Sequence, residues 1–239
     1  MSDTRSASPR EGLVRALEAP VARLPRPPGT LLDRAGLARR RRREARLAEA
    51  GLRETSGRLI EPDHFLPDNV HYEPSPWDCL KWAIRPRDVH PGDVFVDLGC
   101  GLGRVVCQAA AMPFSRVEGV EISPRLAATA QRIVEGRRES IVAGDVRIVV
   151  ANAADYAIPD DATHVYLYHP FAGETFRRVI GNVVASLDRR PRPLRLVYVC
   201  PAMDDVIAAT GRFAVERRRR GGLMDRDVFS RITVWRSSA

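Results

Sequence analysis

The sequence has 239 residues, of which 44% are hydrophobic, and its formal net charge at pH 7 is +8. A chain of this length can bury one sizeable core, and it has no apolar run of the roughly 20 residues that span a bilayer. Since the N-terminus also has no signal-peptide pattern, we expect a soluble, cytoplasmic protein with no membrane partner. Lys81 is the only lysine, and residues 39–43 are consecutive arginines. Such a run is consistent with nucleic acid as a partner.

Three regions follow one another along the chain. Residues 1–30 are rich in proline, arginine, serine and alanine and lack apolar periodicity, which predicts a disordered leader. Residues 31–83 form a second segment, which begins with a helical pattern over residues 31–52 and continues through proline-rich, aromatic sequence to a short helix that begins at Pro76. Residues 84–239 are then expected to form one domain.

That domain begins with the sequence VFVDLGCGLGRVV at residues 94–106, which predicts a buried strand, a glycine turn and a helix. Such a turn lets a ligand approach the bare backbone. The spacing of the glycines is GxGxG. A dinucleotide-binding GxGxxG motif would have its third glycine at position 104, where this sequence has Arg104. Asp97 precedes the glycines, and an acid there would repel a pyrophosphate but suits an ammonium group. S-adenosylmethionine carries an ammonium group and no phosphate.

A second acid, Glu121, follows Asp97 by 24 positions and lies at the end of another apolar run, residues 117–122. An acid in that place can accept hydrogen bonds from both hydroxyls of a ribose. DLGCGLG followed by VEGVEIS resembles motifs I and II of the class I S-adenosylmethionine-dependent methyltransferases. The resemblance covers approximately residues 72–235.

The resemblance implies an α/β fold, a Rossmann-like three-layer sandwich whose seven-stranded sheet is mostly parallel and ends in an antiparallel hairpin. The pattern of the chain predicts the elements in order. Helices are expected at residues 104–112, 123–138, 175–187 and 203–210. Further strands are expected at residues 146–150, 163–171, 194–200, 212–219 and 228–235.

The resemblance also assigns residues to S-adenosyl-L-methionine as cofactor: Asp97, Gly99, Cys100, Gly101, Gly103, Glu121, Ile122, Asn152, Ala153, Asp155 and His169. Asp97 and the glycines would contact the methionine part, and Glu121 the ribose. At the adenine end, Asn152 stands where the family usually has an acid. Its carbonyl oxygen can accept the same hydrogen bond, while Asp155 offers a carboxylate three residues later. We keep both alternatives.

Four residues are candidates for the side that faces the methyl acceptor: Tyr72, Glu73, Tyr168 and His169. His169 titrates near neutrality and could accept a proton from the acceptor or orient it through one ring nitrogen. The sequence HPF at residues 169–171 resembles the Asn/Asp-Pro-Pro-Tyr/Phe corner of amine methyltransferases. We therefore expect N-methylation of a protein side chain or a small-molecule amine.

Two alternatives of other kinds stay open. Net charge and the arginine run favour a nucleic-acid (RNA) methyltransferase, whereas Asn152 and the HPF sequence, as departures from the family pattern, favour a non-catalytic cofactor-binding scaffold. No spacing typical of a metal site is present, and the four cysteines are expected to be reduced, buried thiols.

Overall fold

The computed structural model describes Thr55, residues 74–219 and residues 231–238. The predictions made for residues 1–52, for Tyr72 and Glu73, and for the connection between the last two strands lie outside the described residues.

The helices and strands follow one another much as the sequence pattern predicts. The α-helices are α1 (Asp78–Ala83), α2 (Arg104–Ala110), α3 (Pro124–Glu135), α4 (Gly173–Arg189) and α5 (Asp204–Ala209). The strands are β1 (Val94–Leu98), β2 (Arg116–Glu121), β3 (Val146–Val150), β4 (His164–Tyr168), β5 (Arg195–Val199), β6 (Phe213–Arg219) and β7 (Ile232–Ser237). Within these ranges, no helix is both long enough and apolar enough to cross a membrane.

The strands form one seven-stranded sheet in the order β3-β2-β1-β4-β5-β7-β6. Strands β1 to β5 pair in parallel, whereas β7 runs antiparallel to both β5 and β6. This is the predicted Rossmann-like sheet with its antiparallel hairpin. The strand order reverses at β1, which has β2 on one side and β4 on the other. In open α/β sheets, ligands bind beside the carboxyl ends of the strands at such a reversal.

Both faces of the sheet are covered, which explains why β1 is buried along its whole length. Phe95 packs into a layer that contains side chains of α1, α2 and α3. Val94, Val96 and Leu98 point to the other layer, where they pack with α4 and α5. The sheet is thereby fixed between two helical layers, and its strand ends provide a rigid edge for a site.

Candidate functional site

The turn between β1 and α2, residues 99–103, requires glycine on conformational and steric grounds. Gly99, Gly101 and Gly103 have φ angles of 80°, 54° and 75°, a region that side-chain-bearing residues rarely adopt. A Cβ added to Gly99 would also lie 2.6 Å from the Cβ of Pro170. The glycine turn is therefore packed closely against the corner that follows β4.

Glu121, at the end of β2, holds this turn through hydrogen bonds to the backbone. Its Oε2 accepts the N–H of Gly101 at 2.7 Å, and its Oε1 accepts the N–H of Ser123 at 3.0 Å. The side chain is buried. A carboxylate oxygen has a second lone pair, so each oxygen can still accept a hydrogen bond from a ribose hydroxyl.

Asp97, at the end of β1, is a buried acid. Its residue is 3% exposed, and no described residue donates a hydrogen bond to its carboxyl group. Two causes raise the pKa of Asp97 to about 8: burial is the larger, and the nearby negative charge of Glu121 is the smaller. A buried acid that has no positively charged partner among the described residues fits a ligand carrying an ammonium group.

Residues after β3 form a tight turn that brings Asn152 to the same edge of the sheet. The Asn152 side-chain oxygen accepts the N–H of Ala154 at 3.0 Å, and its backbone oxygen accepts the N–H of Asp155 at 2.9 Å. The carboxylate of Asp155 is 61% exposed and forms an ion pair with Arg178 of α4. Asn152 is thus fixed in the turn, with one lone pair of its side-chain oxygen still available. Ala153 is buried beside it.

The corner after β4, residues 168–171, contains His169 in an unusual backbone conformation, with φ at 37°. Its ring stacks against Tyr198 of the neighbouring strand β5, with 6.5 Å between the ring centroids. Nδ1 of His169 lies 3.2 Å from the hydroxyl of Tyr198. Burial lowers the pKa of His169, so the ring is neutral at pH 7. Tyr168 is half-buried and packs against the layer that contains α1, α2 and α3.

The remaining predicted residues lie within or beside the turns. Cys100 is buried in the glycine turn, and burial raises its thiol pKa well above the ordinary value. The four cysteines of the chain are all buried thiols, as expected. Ile122 lies between Glu121 and Ser123, the N-cap of α3, and is half-buried. Among the described residues, no group of three His, Cys, Asp or Glu side chains could hold a metal ion.

The sequence patterns do not predict a set of buried hydrogen bonds around Arg104, the first residue of α2. Its guanidinium, which is buried, donates to the hydroxyl and carbonyl oxygens of Thr55 at 2.9 and 2.8 Å and to the carbonyl oxygen of Ser75 at 3.0 Å. The hydroxyl of Ser75 lies 2.5 Å from that of Tyr166 on β4. In the sequence, the one sign of these contacts is that Arg104 is the single charged residue of a mostly apolar helix.

The fold and the site together define a class of protein. The sheet has the order and the final antiparallel hairpin of a Rossmann-like methyltransferase, and its first two strands end in a glycine turn and a buried acid. Residues 95–189 match the model of a family described as a methyltransferase domain. This part of the chain is therefore a methyltransferase domain, and S-adenosyl-L-methionine is its cofactor.

One characterised relative is similar in sequence to part of the chain. The ribosomal protein L11 methyltransferase of Ralstonia pickettii (strain 12J) is 27% identical over 139 residues, which are 58% of this chain and 37% of that protein. The chain thus spans little more than a third of that relative's length.

Two solved structures are also similar. An RNA methyltransferase from Salinibacter ruber, in complex with S-adenosyl-L-homocysteine, is 25% identical, with a TM-score of 0.43 over 66% of this chain and 86% of its own. A SAM-dependent methyltransferase from Aquifex aeolicus is 10% identical, with a TM-score of 0.48 over 66% of this chain and 91% of its own.

Proposed function

We propose that the protein transfers the methyl group of S-adenosyl-L-methionine to an amine nitrogen, with a protein side chain as the first candidate acceptor and a small molecule as the second. The observation that carries this proposal is the close packing of Pro170 against Gly99. It brings the corner after β4 to the glycine turn, where the methionine part of the cofactor would lie. The groups of that corner would then face the methyl group.

The cofactor would be held by residues from three neighbouring strand ends. Asp97 would bind the ammonium group, and the backbone of the glycine turn, including Cys100, would contact the methionine part. Glu121 and Ile122 would contact the ribose. Asn152 and Ala153 would bind the adenine, with Asn152 ahead of Asp155 because the Asp155 carboxylate is paired with Arg178.

When bound, the cofactor supplies a methyl group on a positively charged sulfur. The protein then has to align the acceptor nitrogen with that methyl carbon for an in-line displacement. His169 and Tyr168, together with Tyr72 and Glu73, are the residues we assign to the acceptor. Because its pKa is lowered by burial, His169 would contribute a hydrogen bond from a neutral ring.

Three features bear on the choice of acceptor. The corner sequence resembles that of amine methyltransferases, and the relative from Ralstonia pickettii is named for a protein acceptor, ribosomal protein L11. The arginine run at residues 39–43 favours RNA instead. RNA is therefore the alternative acceptor class to test.

The first experiment is calorimetric titration of the purified full chain with S-adenosylmethionine, S-adenosylhomocysteine and NADH. We expect binding of the first two and none of NADH; binding of NADH alone would overturn the cofactor assignment. Labelled S-adenosylmethionine is then incubated with a ribosomal protein fraction, total RNA and a set of small amines.

Label in protein or a small amine supports the proposal. Label in RNA alone, lost at high salt and on removal of residues 1–51, would replace it with the RNA alternative. Cofactor binding without transfer to any of these acceptors would favour the scaffold. As a control on the site, His169→Ala should retain cofactor binding and lower turnover, whereas an equal loss of binding would make this histidine structural.

A further inference from the structure

We infer that Tyr198 holds His169 in the neutral tautomer that carries its proton on Nε2, so that His169 offers the acceptor a hydrogen-bond donor and not a base. Tyr198 would then be a positioning residue, acting through His169. The role of His169 toward the acceptor rests on the function proposed above. The tautomer itself follows from the contacts of Tyr198 and does not depend on that function.

The ring of Tyr198 is held rigidly behind the corner. Tyr198 lies on β5 opposite Leu167 of β4, and it is fully buried. Its ring stacks on Phe176 of α4, with 5.0 Å between centroids and 28° between ring planes, and on His169 with 30° between planes. Since both neighbours fix the ring, the hydroxyl has a defined position beside Nδ1 of His169.

The backbone on both strands supports this contact. His169 directly follows β4, and Cys200 directly follows β5. These two are the described residues other than glycine with positive φ, at 37° and 53°. Residues with side chains adopt this conformation at a cost, and such positions are concentrated at functional sites. The adjacent strands thus end in the same unusual way, on either side of the His169–Tyr198 contact.

The location of the proton follows from the partners of the Tyr198 hydroxyl. Among the described residues, Nδ1 of His169 is the side-chain atom that hydrogen-bonds to it, at 3.2 Å. The backbone amide groups of Met203 and Ala202 also face this oxygen, but an N–H can only donate. The phenolic proton therefore has Nδ1 as its acceptor.

The reverse arrangement, with the proton on Nδ1, would leave the buried phenolic proton without an acceptor among the described residues. Leaving a buried donor unsatisfied is strongly unfavourable. Burial also raises the pKa of Tyr198, so the hydroxyl keeps its proton, and it lowers the pKa of His169, so the ring stays neutral. A neutral ring whose Nδ1 accepts must carry its proton on Nε2.

Nε2 is also the nitrogen that a ligand can use. No described residue hydrogen-bonds to Nε2, and Nε2 is not fully buried. His169 can thus donate to an oxygen or an aromatic nitrogen that the acceptor carries near its reacting atom.

The tautomer has a consequence for the reaction. The amine has to enter the site uncharged, because His169 does not take its proton. The nitrogen lone pair forms the new bond to the methyl carbon while the electrons of the carbon–sulfur bond pass to sulfur. The methylated nitrogen is then positively charged, and its proton goes to water.

The test is nitrogen NMR of the full chain labelled with 15N-histidine. Correlation through the ring protons separates the nitrogens, because Nε2 couples to both carbon-bound ring protons and Nδ1 mainly to one. The signals of His169 are those lost in His169→Gln. We expect a protonated Nε2 and an unprotonated Nδ1, and a proton on Nδ1 in the unchanged protein would overturn the inference.

Tyr198→Phe keeps the stacked ring and removes only the hydroxyl. We expect the His169 signals to move toward a mixture of the two tautomers, whereas unchanged signals would contradict the role of Tyr198. Tyr156→Phe is the matched control, since its hydroxyl donates to Glu118 and it should leave the His169 signals in place. If Tyr198→Phe does not fold, the signals of the unchanged protein still decide which nitrogen carries the proton.

Kinetics separate this inference from the proposed function. With an acceptor in hand, Tyr198→Phe should lower kcat about three- to tenfold, the effect of one misplaced hydrogen bond, and leave KM for S-adenosylmethionine unchanged. A purely structural role would lower cofactor affinity as well. Failure of the proposed function would be seen as absent cofactor binding or transfer, while the NMR result would stand on its own.

Discussion

The carboxylate of Glu121 accepts the backbone N–H of Gly101 at 2.7 Å, across a separation of 20 residues. The end of β2 and the turn after β1 therefore hold one another in place. Because the other carboxylate oxygen accepts the N–H of Ser123, the same side chain also fixes the start of α3. One acid thus orders both of the turns that we propose as the walls of the cofactor site.

Glu121→Gln tests this arrangement. A glutamine has one accepting oxygen, so the N–H of either Gly101 or Ser123 would face an amide NH2 group. We expect cofactor affinity to fall by about 1–3 kcal/mol, because the amide group offers the two ribose hydroxyls one accepting oxygen instead of two. Calorimetry measures the loss. Glu135→Gln, on the exposed end of α3, is the matched control and should bind the cofactor as the unchanged protein does; equal losses in both variants would contradict the assignment.

Asp97→Asn should stabilise the protein without ligand, and increasingly so as the pH rises. The folded protein keeps the Asp97 proton up to a pKa of about 8, whereas the unfolded chain releases it near 3.8. Between these pH values the folded state binds more protons than the unfolded state. The stability of the wild-type protein therefore falls as pH rises from about 4 to about 8. Asparagine removes that dependence. Urea unfolding at a series of pH values measures the difference.

Cofactor binding should respond to Asp97→Asn in the opposite direction. Without the carboxylate the ammonium group loses its charged partner, and affinity should fall by about 1–3 kcal/mol. A variant that is more stable at pH 8 but binds S-adenosylmethionine less well would show that Asp97 is kept for its ligand. Unchanged affinity, together with unchanged stability across this pH range, would remove Asp97 from the site.

The strands and helices of the sheet could be predicted because they depend on patterns that are local in the sequence, whereas the architecture of the sheet came from the family resemblance. The apolar run of β1, the alternating glycines and the acid of motif II each mark one element and its end. Parallel strands joined by helices then leave few topologies, since such connections are short and right-handed. Asp97, Glu121 and Asn152 reach one edge of the sheet for that reason alone.

Contacts between distant elements could not be predicted in this way. The Tyr198–His169 contact spans 29 residues, and the bond from Arg104 to Thr55 spans 49. A periodic pattern indicates which face of an element is buried, but not which side chain lies opposite. Arg217 shows the same limit, because its guanidinium lies 5.2 Å from the centroid of the Trp82 ring, on an element far away in the sequence.

Arg104→Lys tests the buried hydrogen bonds around the first residue of α2. A lysine ammonium lacks the planar fork that reaches both oxygens of Thr55 and the carbonyl of Ser75, so buried acceptors are left without donors. We expect the free energy of unfolding to fall by about 2–4 kcal/mol, measured by urea denaturation. Arg132→Lys, on the exposed side of α3, should change it by less than about 0.5 kcal/mol. A small effect at both positions would refute this account.

Two glycine-to-alanine changes should shift stability in opposite directions. At Gly119 on β2, a Cβ would lie 2.6 Å from Cγ2 of Val106 and 2.8 Å from Sγ of Cys100, so we expect a loss of about 1–3 kcal/mol from overpacking. At Gly181, inside α4, a Cβ meets nothing within 4 Å, and alanine should add about 0.5–1 kcal/mol through its helix propensity. Thermal and urea unfolding measure both. Val106→Ala combined with Gly119→Ala should lose less stability than the two single changes added together, because Val106→Ala removes the nearest clashing atom. A double variant whose loss equals that sum would place the cause of the Gly119→Ala loss elsewhere in β2.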